Sequence, residues 1–185
     1  MWVSTKRGVV NKATDSRYRP GAGRGGISPS WARCAARIMR AMSTGPKLGL
    51  PEAQEHALLA AARAARANAY APYSKFQVGA AVLDAQGRVF AGCNVENAAY
   101  PQGLCAEAAA LAAMVLGGGR RVHALLVAGP GPGWAVPCGG CRQKLHEFAD
   151  GATPVLVAAD AGVQARFTLA QLLPHAFGPQ WPAAR

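Results

Sequence analysis

Cys105-Ala-Glu107 and, 33 residues further on, Pro137-Cys138-Gly-Gly-Cys141 concentrate three thiols and a carboxyl in two short segments. Each segment opens an expected helix, and between them Val122–Ala128 is wholly apolar apart from His123, as in a buried strand. A strand followed by a loop can return the chain beside its origin, which brings the two helix starts together. Backbone N–H dipoles at a helix N-terminus favour the thiolate, and Cys138 and Cys141, at i and i+3, share one face. Three soft ligands in that arrangement suit zinc. Three protein ligands with an open fourth position is the layout of a catalytic zinc, whereas structural sites close with a fourth Cys or His. The available histidines are poor fourth ligands: His146 lies about 140° round the helix from Cys141 and His123 falls inside the strand. Glu107, two residues from a ligand, is placed to reach a metal-bound water rather than the metal, which makes it a candidate proton shuttle. Three plainer readings stand beside this one. Cys138 and Cys141 form a redox dithiol, which leaves Cys105 without a role; the zinc is structural; or Glu107 is a first-turn acid. Cys93 reads as a small buried apolar residue and Cys34 as a thiol of the N-terminal segment.

Several elements must position these residues. Pro51-Glu-Ala-Gln-Glu55 begins with proline and acids, as a first helical turn prefers, and an Ala/Leu/Arg-rich helix runs to Ala69. Val78–Leu83 and Arg88–Val95, joined by the turn Asp84-Ala-Gln-Gly87, read as a hairpin. A helix follows from about Cys105 to Leu116, stopped by Gly117-Gly-Gly119, and then the strand at Val122–Ala128. After a Gly/Pro loop come a helix from about Cys138 to Phe148, a strand at Pro154–Ala158, a short hairpin-like piece around Arg166, and a last turn at Leu169–Leu172. The expected fold class is α/β: a three-layer α/β/α sandwich on a mixed sheet of about five strands.

With 185 residues, 51% of them hydrophobic and 16% charged, the chain holds about one domain and is not wholly disordered. Its net charge of +11 is unevenly spread. Residues 1–47 carry ten bases and a single acid, Asp15, leaving ten bases and eight acids for 48–185. The globular part therefore gives no electrostatic reason to bind a polyanion. Residues 1–47 mix Gly, Ser, Arg and Pro without a regular apolar period and read as a basic, disordered extension preceding a domain at 48–185. An organelle transit segment or an over-extended start, with Met42 as the true initiator, is an alternative account of it. No apolar run approaches the roughly 20 residues that cross a bilayer. A cytoplasmic enzyme is expected, and five cysteines are too few for a disulfide scaffold.

A Cys or His, a nearby Glu and a later P-C-x-x-C together resemble the zinc-dependent cytidine deaminases. The resemblance extends past the metal motif over about residues 50–180. Lys75-Phe-Gln-Val-Gly-Ala-Ala81 is similar to the family's first strand, Gly92-Cys-Asn-Val-Glu-Asn-Ala-Ala-Tyr-Pro101 to its nucleoside-binding segment, and Leu172-Leu-Pro-His-Ala-Phe-Gly-Pro179 to its C-terminal motif. It implies one zinc per subunit on Cys105, Cys138 and Cys141, with Glu107 as acid and base. It also implies a nucleoside held by Phe76, Asn94, Glu96, Tyr100 and Ala106, and Phe177 entering the site of a neighbouring subunit of a homotetramer. Phe76 would lie on the pyrimidine, the Ala106 N–H would meet the base, and Asn94 and Glu96 would hold the ribose 3′-hydroxyl. A carboxylate there disfavours a 3′-phosphate, hence nucleotide and polynucleotide substrates. The implied reaction is hydrolytic deamination of cytidine and deoxycytidine to uridine and deoxyuridine plus ammonia, by zinc-activated hydroxide at C4 with Glu107 moving the proton. The family often has arginine where this chain has Ala108, and three thiolates on Zn²⁺ leave a formal charge of −1. Arg142, directly after Cys141, is the expected replacement donor to a ligand sulfur. Gln77, where the family commonly has proline, is a lesser departure.

Two other classes compete: a deaminase of another aminated heterocycle, such as a blasticidin-type antibiotic, and a non-enzymatic zinc module that binds RNA through its basic arm. The Asn94/Glu96 pair argues against the first. Deleting residues 1–41 separates the second. Deamination of cytidine should be unchanged in the shortened chain while any RNA retention falls, and an unaltered RNA affinity with lost deamination would reverse the assignment.

Overall fold

The computed structural model describes residues 2–5, 8–11, 50–131 and 133–178. The chain divides into two compact units, Met1–Ala36 and Arg37–Arg185. In the first, β1 (Trp2–Thr5) and β2 (Gly8–Asn11) pair antiparallel, with Val3 opposite Val10. Val3, Thr5, Val9 and Val10 are β-branched, residues that fit a pleated strand. Residues 12–49, which include the Ala/Arg stretch, Met42 and the proposed boundary at 47, lie outside the described residues.

The second unit begins with α1 (Glu52–Ala67), whose first turn carries Glu52 and Glu55 after Pro51, as the helix dipole favours. Then come β3 (Gly79–Asp84), β4 (Val89–Cys93), a 3₁₀ turn at Tyr100–Gln102, α2 (Ala106–Leu116) and β5 (Val122–Ala128). The chain closes with α3 (Gly139–His146), β6 (Pro154–Ala159), β7 (Gly162–Thr168) and α4 (Leu169–Leu172). The five strands β3–β7 form one sheet in the order β4-β3-β5-β6-β7. Only β5 and β6 are parallel, so the sheet is mixed, as expected. The piece expected to be short around Arg166 is a full seven-residue edge strand. A tight turn with Gly162 at φ 109° folds it back on β6, a conformation open to glycine at no steric cost.

Alternation along the central strands sorts their side chains onto two faces. Ala81, Leu83, Ala124, Leu126, Leu156 and Ala158 meet Leu58 and Ala62 of α1. Ala80, Val82, Leu125, Val127, Val155 and Val157 face the other way, against Ala110 and Met114 of α2, Leu145 of α3 and Leu169 of α4. Helices therefore cover both faces, and the sandwich has three layers. The layers approach closely because glycine stands where a side chain would collide. A Cβ on Gly79 would lie 2.0 Å from the Ala62 carbonyl oxygen, and one on Gly92 2.4 Å from the Ala110 nitrogen. These contacts set the depth at which α1 and α2 lie against the ends of β3 and β4.

Asp84 ties the β3–β4 turn together from a buried position. Its Oδ1 accepts from the N–H groups of Gln86 (2.9 Å) and Arg88 (2.8 Å), and its Oδ2 from Nε of Arg88 (2.7 Å). Arg88 also donates to the Gly117 carbonyl at the end of α2, at 2.9 Å. Burial pushes the Asp84 carboxyl up, but the Arg88 and Gln86 N–H groups and the Arg88 guanidinium outweigh it and hold it below 3.8. A carboxyl lowered in the folded state contributes stability that is complete above its unfolded value and is lost as pH falls through the folded one. Asp84→Ala should cost about 2 kcal/mol at neutral pH, since it orphans these donors. The difference from wild type should shrink as pH drops below about 4. Urea unfolding at pH 7 and pH 3 checks both, and equal losses at the two values would refute the charge argument.

Candidate metal centre and substrate cleft

The polypeptide returns to one place twice. α2 leads into β5, which runs back toward the start of α2, and the loop after β5 delivers α3 to the same end. Cys105 is the residue before α2 and Cys138 the residue before α3, both extended (ψ 150° and 164°), and Cys141 lies within the first turn of α3. The helices begin one residue later than the sequence reading placed them, so two of the thiols occupy cap positions. The three sulfurs lie within 4.8 Å of one another, and Cys105 Sγ is 3.9 Å from Cys138 Sγ. Tetrahedral Zn–S bonds of about 2.3 Å put neighbouring sulfurs roughly 3.8 Å apart, so the donor set fits one zinc ion. Among the described residues no fourth His, Cys, Asp or Glu joins the group, as expected for an open site.

The protein groups alone do not favour three thiolates. Burial pushes the Cys138 thiol up, but the N–H and thiol of Cys141 and the thiol of Cys105 outweigh it and leave Cys138 below its ordinary value. Cys105 is raised by burial and then by the charge of Cys138, and Cys141 by burial and then by the charges of Glu107 and Cys105. A dication among the sulfurs is what balances such a set.

Glu107 is 6% exposed. Burial pushes its carboxyl up, only partly offset by its own N–H and the Cys141 thiol. It lines a cleft of about 170 Å³ with Cys105, Cys138, Ala106, Phe76 and Asn94. Five site residues proposed from sequence thus share one space with the carboxyl. The walls that the sequence reading missed are Val78, Val127, Ala135 and Val136. Their signal was their position next to site residues: Val78 opens the first strand of the hairpin, Val127 nearly ends the buried strand, and Ala135-Val136 immediately precede Pro137-Cys138.

Asn94 is fixed at both ends, its Oδ1 accepting from the Val78 N–H (2.8 Å) and its Nδ2 donating to the Phe76 carbonyl (2.9 Å). Glu96 lies apart, in an adjoining hollow with Tyr73, Ser74 and Tyr100. One Glu96 oxygen accepts from the N–H groups of Tyr73 (2.8 Å) and Ser74 (3.2 Å), and the other from the Ser74 hydroxyl. That hydroxyl bond, opposed by partial desolvation and helped by the two N–H groups, holds the carboxyl below its ordinary range. Tyr100, 79% exposed, sits edge-on to Tyr73. Phe177 does not line the cleft of its own chain; its ring is 81% exposed, and its carbonyl accepts from Gln143 Nε2 at 2.6 Å.

Arg142 departs from expectation. Its Nε donates to the Pro137 carbonyl (2.7 Å) and its NH1 to the Leu172 carbonyl (2.8 Å), so backbone acceptors rather than a ligand sulfur take its hydrogen bonds. The reason is geometric: the side chain leaves α3 toward the preceding loop and α4. Arg142 thereby anchors the loop that carries Cys138. Of the backbone N–H groups at the helix starts, that of Cys141 lowers the Cys138 thiol.

A family model for the cytidine and deoxycytidylate deaminase zinc-binding region matches residues 52–157. The chain is 44% identical over 123 residues to the cytidine deaminase of Sporosarcina psychrophila, covering 66% of this chain and 90% of that protein. It is 44% identical over 129 residues to that of Mycobacterium tuberculosis, covering 70% and 93%. Among solved structures, the Burkholderia pseudomallei cytidine deaminase superposes with a TM-score of 0.62 at 44% identity, over 66% of this chain and 98% of that one. With the three sulfurs, the buried glutamate and the mixed five-stranded sheet already in place, the chain belongs to the cytidine and deoxycytidylate deaminase family.

Proposed function

We propose that this chain is a zinc-dependent cytidine deaminase that hydrolyses cytidine and deoxycytidine to uridine and deoxyuridine with release of ammonia. The observation that carries the reading is a buried carboxyl, Glu107, in the same cleft as Cys105 and Cys138, whose sulfurs lie with that of Cys141 within 4.8 Å of one another. Curated relatives 42–44% identical to this chain bear the name cytidine deaminase, which favours that substrate over a blasticidin-type antibiotic.

Cys105, Cys138 and Cys141 would hold the zinc, which when bound supplies a water acidified toward neutral pH as the nucleophile for C4. Glu107 would move one of the water's two protons to N3 of the ring, where it stays, and the other to the exocyclic nitrogen, which departs as ammonia. One carboxyl serves both transfers because it stands between nucleophile and base. Val78, Val127, Ala135 and Val136 exclude bulk water around it, which strengthens each polar contact made there. The Ala106 N–H meets the base and Phe76, 44% exposed at the mouth, lies against its face. The remaining N–H of the doubly held Asn94 amide would face the sugar from the cleft, and the one lone-pair site that Glu96 keeps free would meet its 3′-hydroxyl from the hollow that also holds Tyr100. A free 3′-hydroxyl suits that pair and a phosphate does not. The exposed Phe177 ring supports a homotetramer in which each C-terminal segment reaches a neighbour's cleft. No helix among the described residues is long and apolar enough to cross a membrane, which accords with a cytoplasmic enzyme.

The loss of cytidine ultraviolet absorbance, measured with zinc content per chain, tests the assignment. Glu107→Gln should lower kcat by roughly 10²- to 10⁴-fold with zinc retained. Cys138→Ala should instead lose zinc and turnover together. Unchanged turnover in Glu107→Gln would reject the proton-transfer role, and a wild-type chain that holds zinc but spares cytidine would reject the substrate.

A further inference from the structure

One wall of the cleft is held from the far side of the sheet. α1 covers the face away from α2 and α3, yet its Arg63 and Arg66 reach past the strand ends. Arg63 donates to the carbonyls of Ala159 (3.1 Å) and Asp160 (2.7 Å), where β6 ends. Arg66 NH1 donates to the carbonyl of Gly129 at 2.6 Å, where the chain leaves β5, and its NH2 to Asp160 Oδ1 at 2.6 Å. Gly129 is the first residue after Ala128, and its own N–H is bonded to Ala158. It also touches the cleft wall: a Cβ placed on it would lie 2.5 Å from Ala135 Cβ and 3.7 Å from Phe76 Cζ. Arg66 thus fixes the start of the loop that bears Ala135 and Val136, at a glycine where a methyl group would reach both Ala135 and Phe76.

We propose that Arg66 is a positioning residue for substrate binding: by clamping the Gly129 carbonyl it sets the separation of Ala135 and Phe76, the two surfaces between which a planar base enters. The inference rests on the deaminase reading above. Arg66 touches neither the metal ligands nor Glu107, so its effect falls on substrate affinity rather than on the chemical step. Asp160 orients the guanidinium, but the bond to Gly129 does not depend on it, because NH1 and NH2 take separate acceptors. Gly129 has no room for a methyl group, so Gly129→Ala displaces the same wall while Arg66 remains.

The test compares full-length, zinc-loaded wild type with Arg66→Ala, Asp160→Ala and Gly129→Ala, measuring KM and kcat for cytidine, zinc content and Tm. Arg66→Ala and Gly129→Ala should each raise KM about fivefold to tenfold, with kcat within about twofold and zinc undiminished, the size expected for one lost hydrogen bond at a binding surface. Asp160→Ala should lower Tm slightly and leave KM within about twofold, as for an exposed ion pair. If Arg66→Ala does not fold, Gly129→Ala carries the comparison with Asp160→Ala. The proposal is overturned if KM stays at the wild-type value in Arg66→Ala or, failing that variant, in Gly129→Ala. It is equally overturned if Asp160→Ala moves KM as far, which would mark a merely structural role. A wild-type chain that turns over cytidine while Arg66→Ala keeps its KM leaves the deaminase reading intact; a wild-type chain without turnover overturns both.

Discussion

Three sulfur atoms within 4.8 Å of one another cannot carry three negative charges unless positive charge stands among them. Two sources meet that demand: a dication, and the N–H groups at the starts of α2 and α3. Most of the second unit can be understood as what brings those two helix starts together. β5 must run antiparallel to α2 and end beside its first residue, and the loop of residues 129–138 must carry the chain to the start of α3 at that same end. Both helices must then lie on the same face of the sheet, where Ala110, Met114 and Leu145 anchor them. Glu107 inherits its position from this arrangement, since it sits one residue beyond the first residue of α2.

Small residues set the distances. The α1 face of the sheet is rich in alanine, and Gly79 admits the α1 backbone almost to contact. That closeness lets Arg66, on the last turn of α1, reach past the strand ends to Gly129. On the opposite face Gly92 admits α2 in the same way. A sheet with bulkier residues at these two positions would stand its helices off, and neither the arginine clamp nor the placement of Cys105 would survive.

The metal ligands, Glu107, the layered architecture and the mixed sheet were legible in the sequence because each leaves a local mark. Thiols at i and i+3, a fully apolar seven-residue run and a proline-acid helix start are patterns that no distant residue must complete. What escaped depended on distance. Arg142 follows Cys141 directly, but its donors go to Pro137 and to Leu172, 30 positions away, and nothing local selects those acceptors over a sulfur. β7 alternates strictly, Val163, Ala165 and Phe167 against Gln164, Arg166 and Thr168, so its full length was legible and the sequence reading stopped short of it; its pairing with β6 fixes its extent. The strands β1 and β2, four residues each, are short and set in a polar context. The aliphatic cleft walls looked like ordinary core residues, and only the fold reveals which of them border Glu107.

Asn94 and Glu96 differ in how they are held, and the difference bears on selectivity in the proposed reading. The Asn94 amide is committed at both ends to backbone groups of the segment that carries Phe76, so the polar contact to a sugar and the aromatic face for a base move as one body. Glu96 is held by Tyr73 and Ser74, in the loop on the other side of Phe76. Three of its roughly four lone-pair sites are thereby spoken for, and the Lys75 charge is the smallest of the influences that keep it ionised. A carboxylate so held, with one site left, accepts a neutral hydroxyl and repels an anion. Selectivity for a free sugar hydroxyl would then come from hydrogen bonds made inside the protein, before any ligand arrives.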